Sequence, residues 1–134
     1  MKTKEYSLDI EGKTLTATFS DLTDQADGSV LLRYGNSVVL ATAIMSEHTK
    51  DGLGYFPLTV DYEEKFYAAG AILGSRFMRR EGRPSDEAIL SGRVVDRTIR
   101  PLFDGRIRNE VQVVITVFSV DEDDPDVLGI IAAS

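Results

Sequence analysis

Between Arg76 and Arg108 the chain carries nine arginines and only five carboxylates, those of Glu81, Asp86, Glu87, Asp96 and Asp104. This block is net +4 in a 134-residue chain of net −7, which leaves −11 for the remainder. A guanidinium stays charged at any working pH and grips phosphate with two parallel donors, so such a block on an acidic body points to a local anion site. General adhesion to nucleic acid would call for a basic chain instead. Spacing divides the block. Arg93, Arg97 and Arg100 recur at i, i+4 and i+7, one side of a helix. Arg76, Arg79, Arg80 and Arg83 fall in a segment punctuated by Gly70, Gly74 and Gly82 and containing Phe77 and Met78. A basic loop beside an aromatic ring suits single-stranded nucleic acid, with charge for the backbone and a ring for the bases. A structural reading stands beside each: Asp86, Asp96 and Asp104 are near enough in sequence to pair with the helical arginines, and Phe77 is equally suited to anchor its loop.

Other chemistry is sparse. His48 is the only histidine and has no nucleophile or second ligand nearby in sequence, so it reads as a loop residue. The absence of cysteine removes disulfides, thiol catalysis and thiolate metal sites. The run Asp121 to Asp126, "DEDDPD", is a candidate Mg²⁺ cluster, but a solvated turn between strand and helix is the commoner origin of such a run. No Walker-type or dinucleotide glycine motif occurs. The N-terminus lacks the apolar core of a signal peptide, and no run of 18 apolar residues exists, so a cytoplasmic protein without a membrane span is expected.

The elements that must position these residues can be read from periodicity. Tyr6, Leu8 and Ile10, then Leu15, Ala17 and Phe19, alternate with polar residues across a Glu11-Gly12 turn, which predicts a hairpin. Gly35-Asn36 separates two apolar, β-branched runs and predicts a second, more buried hairpin. "YFPLTVDY" reads as a further strand, and Glu110 to Val120 as the most apolar and therefore central one. One helix is expected from Ser85 to Arg100. Ser85 caps it, Asp86 and Glu87 favour its positive end, and Pro101 stops it. Ala88, Gly92, Val95, Ile99 and Leu102 form its apolar stripe, with Gly92 allowing close approach to the sheet. A small-residue helix begins just after Pro125, and truncation at the C-terminus is expected from its early stop.

These residues carry a resemblance. "RFMRREGRPSDEAILSGRVVDRTIRPLF", "RNEVQVVITVFSVDEDDPDVLGIIAAS", "QADGSVLLRYGNSVVLATA" and "VDYEEKFYAAG" together closely resemble the first RNase PH-like domain of the polynucleotide phosphorylase family. The resemblance spans nearly the whole chain. It implies an α+β fold of the RNase PH-like, ribosomal protein S5 domain 2-like kind, with residues 1–134 forming part of one domain of a longer chain. It implies a homotrimeric, cytoplasmic exoribonuclease that uses inorganic phosphate to shorten RNA from its 3′ end and releases nucleoside diphosphates. Single-stranded RNA and RNA-degradation complex proteins are the implied partners. Mg²⁺ is implied in a second core outside this chain. No metal site and no catalytic residue is expected within it.

In that family a Phe-Phe-Arg-Arg loop grips RNA at the mouth of the trimer channel, and here it reads Phe77-Met78-Arg79-Arg80. The implied RNA-binding set is Phe77, Met78, Arg79, Arg80, Arg83, Arg93, Arg97 and Arg100. Catalytic RNase PH domains are similar up to an arginine before the helix, matched by Arg83, and add a Gly-Thr-Arg-type turn that holds phosphate. The corresponding turn here is Asp124-Pro125-Asp126, whose two carboxylates repel phosphate and whose proline lacks an N–H. The resemblance therefore implies an RNA-guiding core that is not itself catalytic. The alternatives are an RNase PH-type catalytic subunit and a purely structural trimerisation module.

Overall fold

A computed structural model describes residues 2–72 and 82–134. The α+β expectation holds. Six strands form one mixed sheet in the order β1-β2-β3-β4-β6-β5. The strands are β1 (Lys4–Ile10), β2 (Lys13–Phe19), β3 (Gly28–Tyr34), β4 (Ser37–Thr49), β5 (Leu58–Glu64) and β6 (Asn109–Ser119), and the helices are α1 (Asp86–Ile99) and α2 (Pro125–Ala133). Every pairing is antiparallel except β5 with β6. That parallel pair needs a crossover, and α1 supplies it.

The two hairpin turns close as their sequences require. Glu11 and Gly12 both take positive φ, at 50° and 82°, so that β1 and β2 pair from Lys4 with Phe19 to Ile10 with Lys13. In the second turn only Gly35 does so, at 58°. β6 is interior, as its apolar run predicts. Val111, Val113, Ile115 and Val117 are buried on its inner face beside Val39 and Ala41 of β4 and Leu58 and Tyr62 of β5.

Both helices lie over this inner face. Ala88, Ser91, Gly92, Val95 and Ile99 are the buried residues of α1. Leu102 does not continue the stripe. Pro101 ends the α-helix, a short 3-10 turn follows at Arg100–Leu102, and Leu102 is left 70% exposed while Phe103 turns inward onto Phe56 with ring centroids 5.1 Å apart. β1 also departs from the expected half-burial: Tyr6 and Leu8 are each 61% exposed because neither helix packs against it.

Close approach of helix to sheet differs between the two glycines. A methyl at Gly92 would sit 3.5 Å from Tyr62 Cβ, an ordinary contact, whereas at Gly129 it would meet Tyr62 Cε2 at 3.3 Å and Ile115 Cγ2 at 3.4 Å. Gly92→Ala is therefore expected to be neutral or to stabilise by up to about 1 kcal/mol through helix propensity. Gly129→Val should cost about 1–3 kcal/mol by overpacking. Urea unfolding of the two variants checks the ordering, and an equal loss in both would contradict it.

Candidate functional site

α1 begins where the sequence places it. Ser85 Oγ accepts the Ala88 N–H at 3.1 Å and donates to Glu64 Oε2 at 3.2 Å, which ties the start of the helix to the end of β5. Arg83 precedes the cap and is exposed. With the buried stripe fixed on the sheet, Leu90, Arg93, Val94 and Arg97 must face away from it. All four are exposed. Arg83, Arg93 and Arg97 form no ion pair or hydrogen bond among the described residues. Phe77, Met78, Arg79 and Arg80 lie outside the described residues.

Arg100 shares the spacing of Arg93 and Arg97 but not their surroundings. Its Nε and Nη2 pair with both oxygens of Asp96 at 2.6 and 2.7 Å. Nη1 donates to the Phe56 carbonyl and Nη2 to the Leu58 carbonyl, each at 3.1 Å. The side chain thus ties the end of α1 to two carbonyls at and just before the start of β5, of which that of Phe56 also accepts the Leu58 N–H. Arg106 is likewise engaged with Asp104, and Arg108 donates to the carbonyls of Leu53, Gly105 and Ile107. The described part of the basic block therefore divides into open cations at its start and structural ones at its end. The i−4 position of Asp96 was the sequence signal for Arg100. The strand carbonyls, more than 40 residues away, gave none.

The acidic run is organised rather than merely solvated. Asp121 accepts from Asn36 Nδ2 at 3.0 Å, and its N–H donates to Ser37 Oγ at 3.1 Å. Asp123 binds Lys13 Nζ at 2.7 Å, an interaction that holds the lysine pKa above its usual value. Asp124 caps α2 by accepting the Asp126 N–H at 3.0 Å, beside a proline that has no N–H to offer. Asp126 Oδ2 lies 2.7 Å from Ser91 Oγ, which also lies 2.9 Å from the Glu87 carbonyl. Three carboxylates, those of Asp121, Asp123 and Asp126, thus latch the segment around the start of α2 to the hairpins and to α1, while Asp124 caps α2 itself. Among the described residues no group of three His, Asp or Glu side chains is arranged to hold a metal ion. His48 lies in β4 rather than in a loop, is exposed, and its backbone N–H and carbonyl both bond to the Ser46 hydroxyl.

Tyr62 lies beneath this latch, 3% exposed, and its hydroxyl is the only buried side-chain polar atom without a hydrogen-bond partner among the described residues. Burial first, then the nearby Asp126 carboxylate with Glu64 and Asp124 behind it, pushes its pKa far up. The hydroxyl lies in reach of Asp126 but outside hydrogen-bonding geometry.

Residues 11–134 match the family described as 3′ exoribonuclease family, domain 1. The chain is 55% identical over 130 residues to the polyribonucleotide nucleotidyltransferase of Heliobacterium modesticaldum, covering 96% of this chain and 18% of that protein. It is 52% identical over 132 residues to that of Thermotoga maritima, covering 98% and 18%. The chain thus spans under a fifth of the length of these curated relatives. Among solved structures, rice (Oryza sativa) Rrp46 superposes with a TM-score of 0.65 at 17% identity, over 88% of this chain and 51% of that one. The Archaeoglobus fulgidus exosome with RNA bound to the active site gives 0.56 at 25% identity, over 98% and 50%.

The tyrosine predicts a pH effect. The unfolded chain releases the phenolic proton near the ordinary value of 10.0, while the folded chain holds it far above. The contribution is complete below about pH 10 and is lost as pH rises beyond it. Tyr62→Phe should flatten this alkaline loss and change stability at neutral pH by less than about 1 kcal/mol, because no hydrogen bond is broken. Denaturant unfolding on both sides of pH 10 measures both effects. A loss of several kcal/mol at neutral pH would mean that the hydroxyl does bond to Asp126.

Proposed function

The chain belongs to the 3′ exoribonuclease family, as its domain 1, and from that premise we propose that it is the RNA-guiding, non-catalytic core of a longer phosphorolytic exoribonuclease. That enzyme shortens RNA from the 3′ end with inorganic phosphate, a reading supported by the 3′ exoribonuclease family match and by the relatives' name, polyribonucleotide nucleotidyltransferase. The observation that carries the non-catalytic reading is the start of α2. Its Asp126 N–H is taken by Asp124 Oδ1, the Ser91 hydroxyl lies against Asp126, and Pro125 has no N–H, so an incoming phosphate meets negative charge where it needs donors. Mg²⁺ belongs, in this reading, to a second core of the longer protein, with a homotrimer in the cytoplasm as the working assembly. No helix among the described residues is long and apolar enough to cross a membrane.

RNA contact is assigned to Phe77, Met78, Arg79 and Arg80, together with Arg83, which follows them closely and stands open. The RNA in the similar exosome structure supports RNA as the ligand class. Arg100 is committed to the Asp96 pair and the β5 carbonyls, so its substitution should act on stability. Arg93 and Arg97 are open but are interleaved with exposed Leu90 and Val94. That mixture favours a protein contact for α1, the second reading.

Arg79→Ala with Arg80→Ala, made in the longer protein, should weaken single-stranded RNA binding without unfolding it. The slope of log affinity against log salt should fall by roughly 1.4, at about 0.7 for each phosphate that is no longer neutralised. Fluorescence anisotropy across a salt series reads both quantities. Unchanged affinity with an unchanged slope would return the loop to a structural role.

A further inference from the structure

The turn that follows β5 holds one aromatic ring out in solvent. It is a 3-10 turn over Phe66–Ala69. Ala68 N–H donates to the Lys65 carbonyl, Gly70 N–H to that of Tyr67 and Ala71 N–H to that of Phe66, each at 3.0 Å. Gly70 closes the turn at a φ of 71°, in the left-handed region that favours glycine. Ala68 is buried, and its carbonyl accepts the Val120 N–H at 3.0 Å, which fastens the turn to the end of β6. With Ala68 turned inward, Tyr67 is left 56% exposed. Its ring and hydroxyl make no ring contact or hydrogen bond among the described residues.

A lone exposed tyrosine calls for no explanation by itself. The position of this one does. Glu64, at the end of β5, accepts from Ser85 Oγ at 3.2 Å, so the segment entering α1 returns to the place where the turn begins. Tyr67 lies three positions after Glu64, and Arg83 two positions before Ser85. An exposed ring and an exposed guanidinium without an ion pair among the described residues therefore stand at the same end of the sheet, on the two sides of one junction. The carboxylates nearest in sequence are engaged, Glu63 with Lys65 at 3.3 Å and Glu64 with Ser85. A guanidinium serves a phosphate and a ring face serves a base. Every base has a π-face, so the pair suits a single strand of any sequence.

We propose that Tyr67 is a base-stacking residue, on which one nucleotide of a single-stranded RNA lies while Arg83 holds the adjoining phosphate. The inference rests on the RNA-guiding reading above and adds to it a contact made with bases. The turn is fixed by its own hydrogen bonds and by β6, so stacking orders little beyond the ring itself. A tyrosine ring offers a large contact area for the freezing of only two χ angles. Duplex RNA keeps its bases within the helix, so the platform takes single strands only.

Fluorescence anisotropy in the longer protein, with a labelled oligoadenylate and an abasic ribose-phosphate oligomer of equal length, tests the proposal. Tyr67→Leu keeps apolar bulk without the ring. It should weaken oligoadenylate binding roughly tenfold and leave the abasic oligomer unaffected. The slope of log affinity against log salt should stay at the wild-type value, because no phosphate contact is lost. Tyr67→Trp should restore the affinity. Arg83→Ala should instead weaken both oligomers and lower the slope by about 0.7. Equal binding of oligoadenylate by the wild type and Tyr67→Leu would overturn the proposal. If Arg79→Ala with Arg80→Ala still weakens binding in that case, the RNA-guiding reading stands without the platform, and if it does not, both fall. A Tyr67→Leu loss that extends equally to the abasic oligomer, or that Tyr67→Trp fails to restore, would also overturn the proposal and make Tyr67 a packing contact for another protein segment.

Discussion

Both helices rest on one aromatic side chain. Tyr62 stands on β5 opposite Ile115 of β6, with Gly92 of α1 above its Cβ and Gly129 of α2 above its ring. Interiors pack at crystal-like density, so this contact leaves little freedom in where either helix sits. The position of α1 decides which arginines face solvent. The position of α2 brings Asp126 to Ser91. The carboxylate latch above and the buried ring below therefore act on the same junction, and the unpartnered hydroxyl is a polar cost carried at the point of closest packing.

From that junction the surface chemistry follows. The acidic run, whose composition alone would suit a cation, spends Asp121, Asp123, Asp124 and Asp126 on Asn36, Lys13, the α2 amide and Ser91. A helix N-terminus is ordinarily a ready anion site, and here the chain's own carboxylates fill it. Positive charge that an incoming anion can reach is concentrated instead around Arg83 and along α1. This division of charge is what the proposed reading of an RNA-guiding core requires.

How much of this was legible in the sequence depended on distance along the chain. The hairpins announced themselves through Glu11-Gly12 and Gly35-Asn36, and α1 through Ser85, its buried stripe and Pro101, because each signal lies within a few residues of the element it shapes. The roles of Arg100 and of the acidic run were hidden for the opposite reason. Arg100 finds its carbonyls at Phe56 and Leu58, and Asp123 finds Lys13, separated by 110 positions. Periodicity likewise gave β1 an apolar face but could not say that no helix covers it. The family resemblance added what periodicity lacks, a family, and the match to residues 11–134 bears that out.

The most direct measurement is a titration of the chain with inorganic phosphate at constant ionic strength, followed by the phosphorus-31 resonance. If the start of α2 is filled from within, the resonance should show no saturable shift or broadening, and the chain with added RNA and phosphate should release no nucleoside diphosphate. Saturable phosphate binding that is lost on substituting Arg83, accompanied by phosphate-dependent release of nucleoside diphosphates, would contradict it and make this core catalytic.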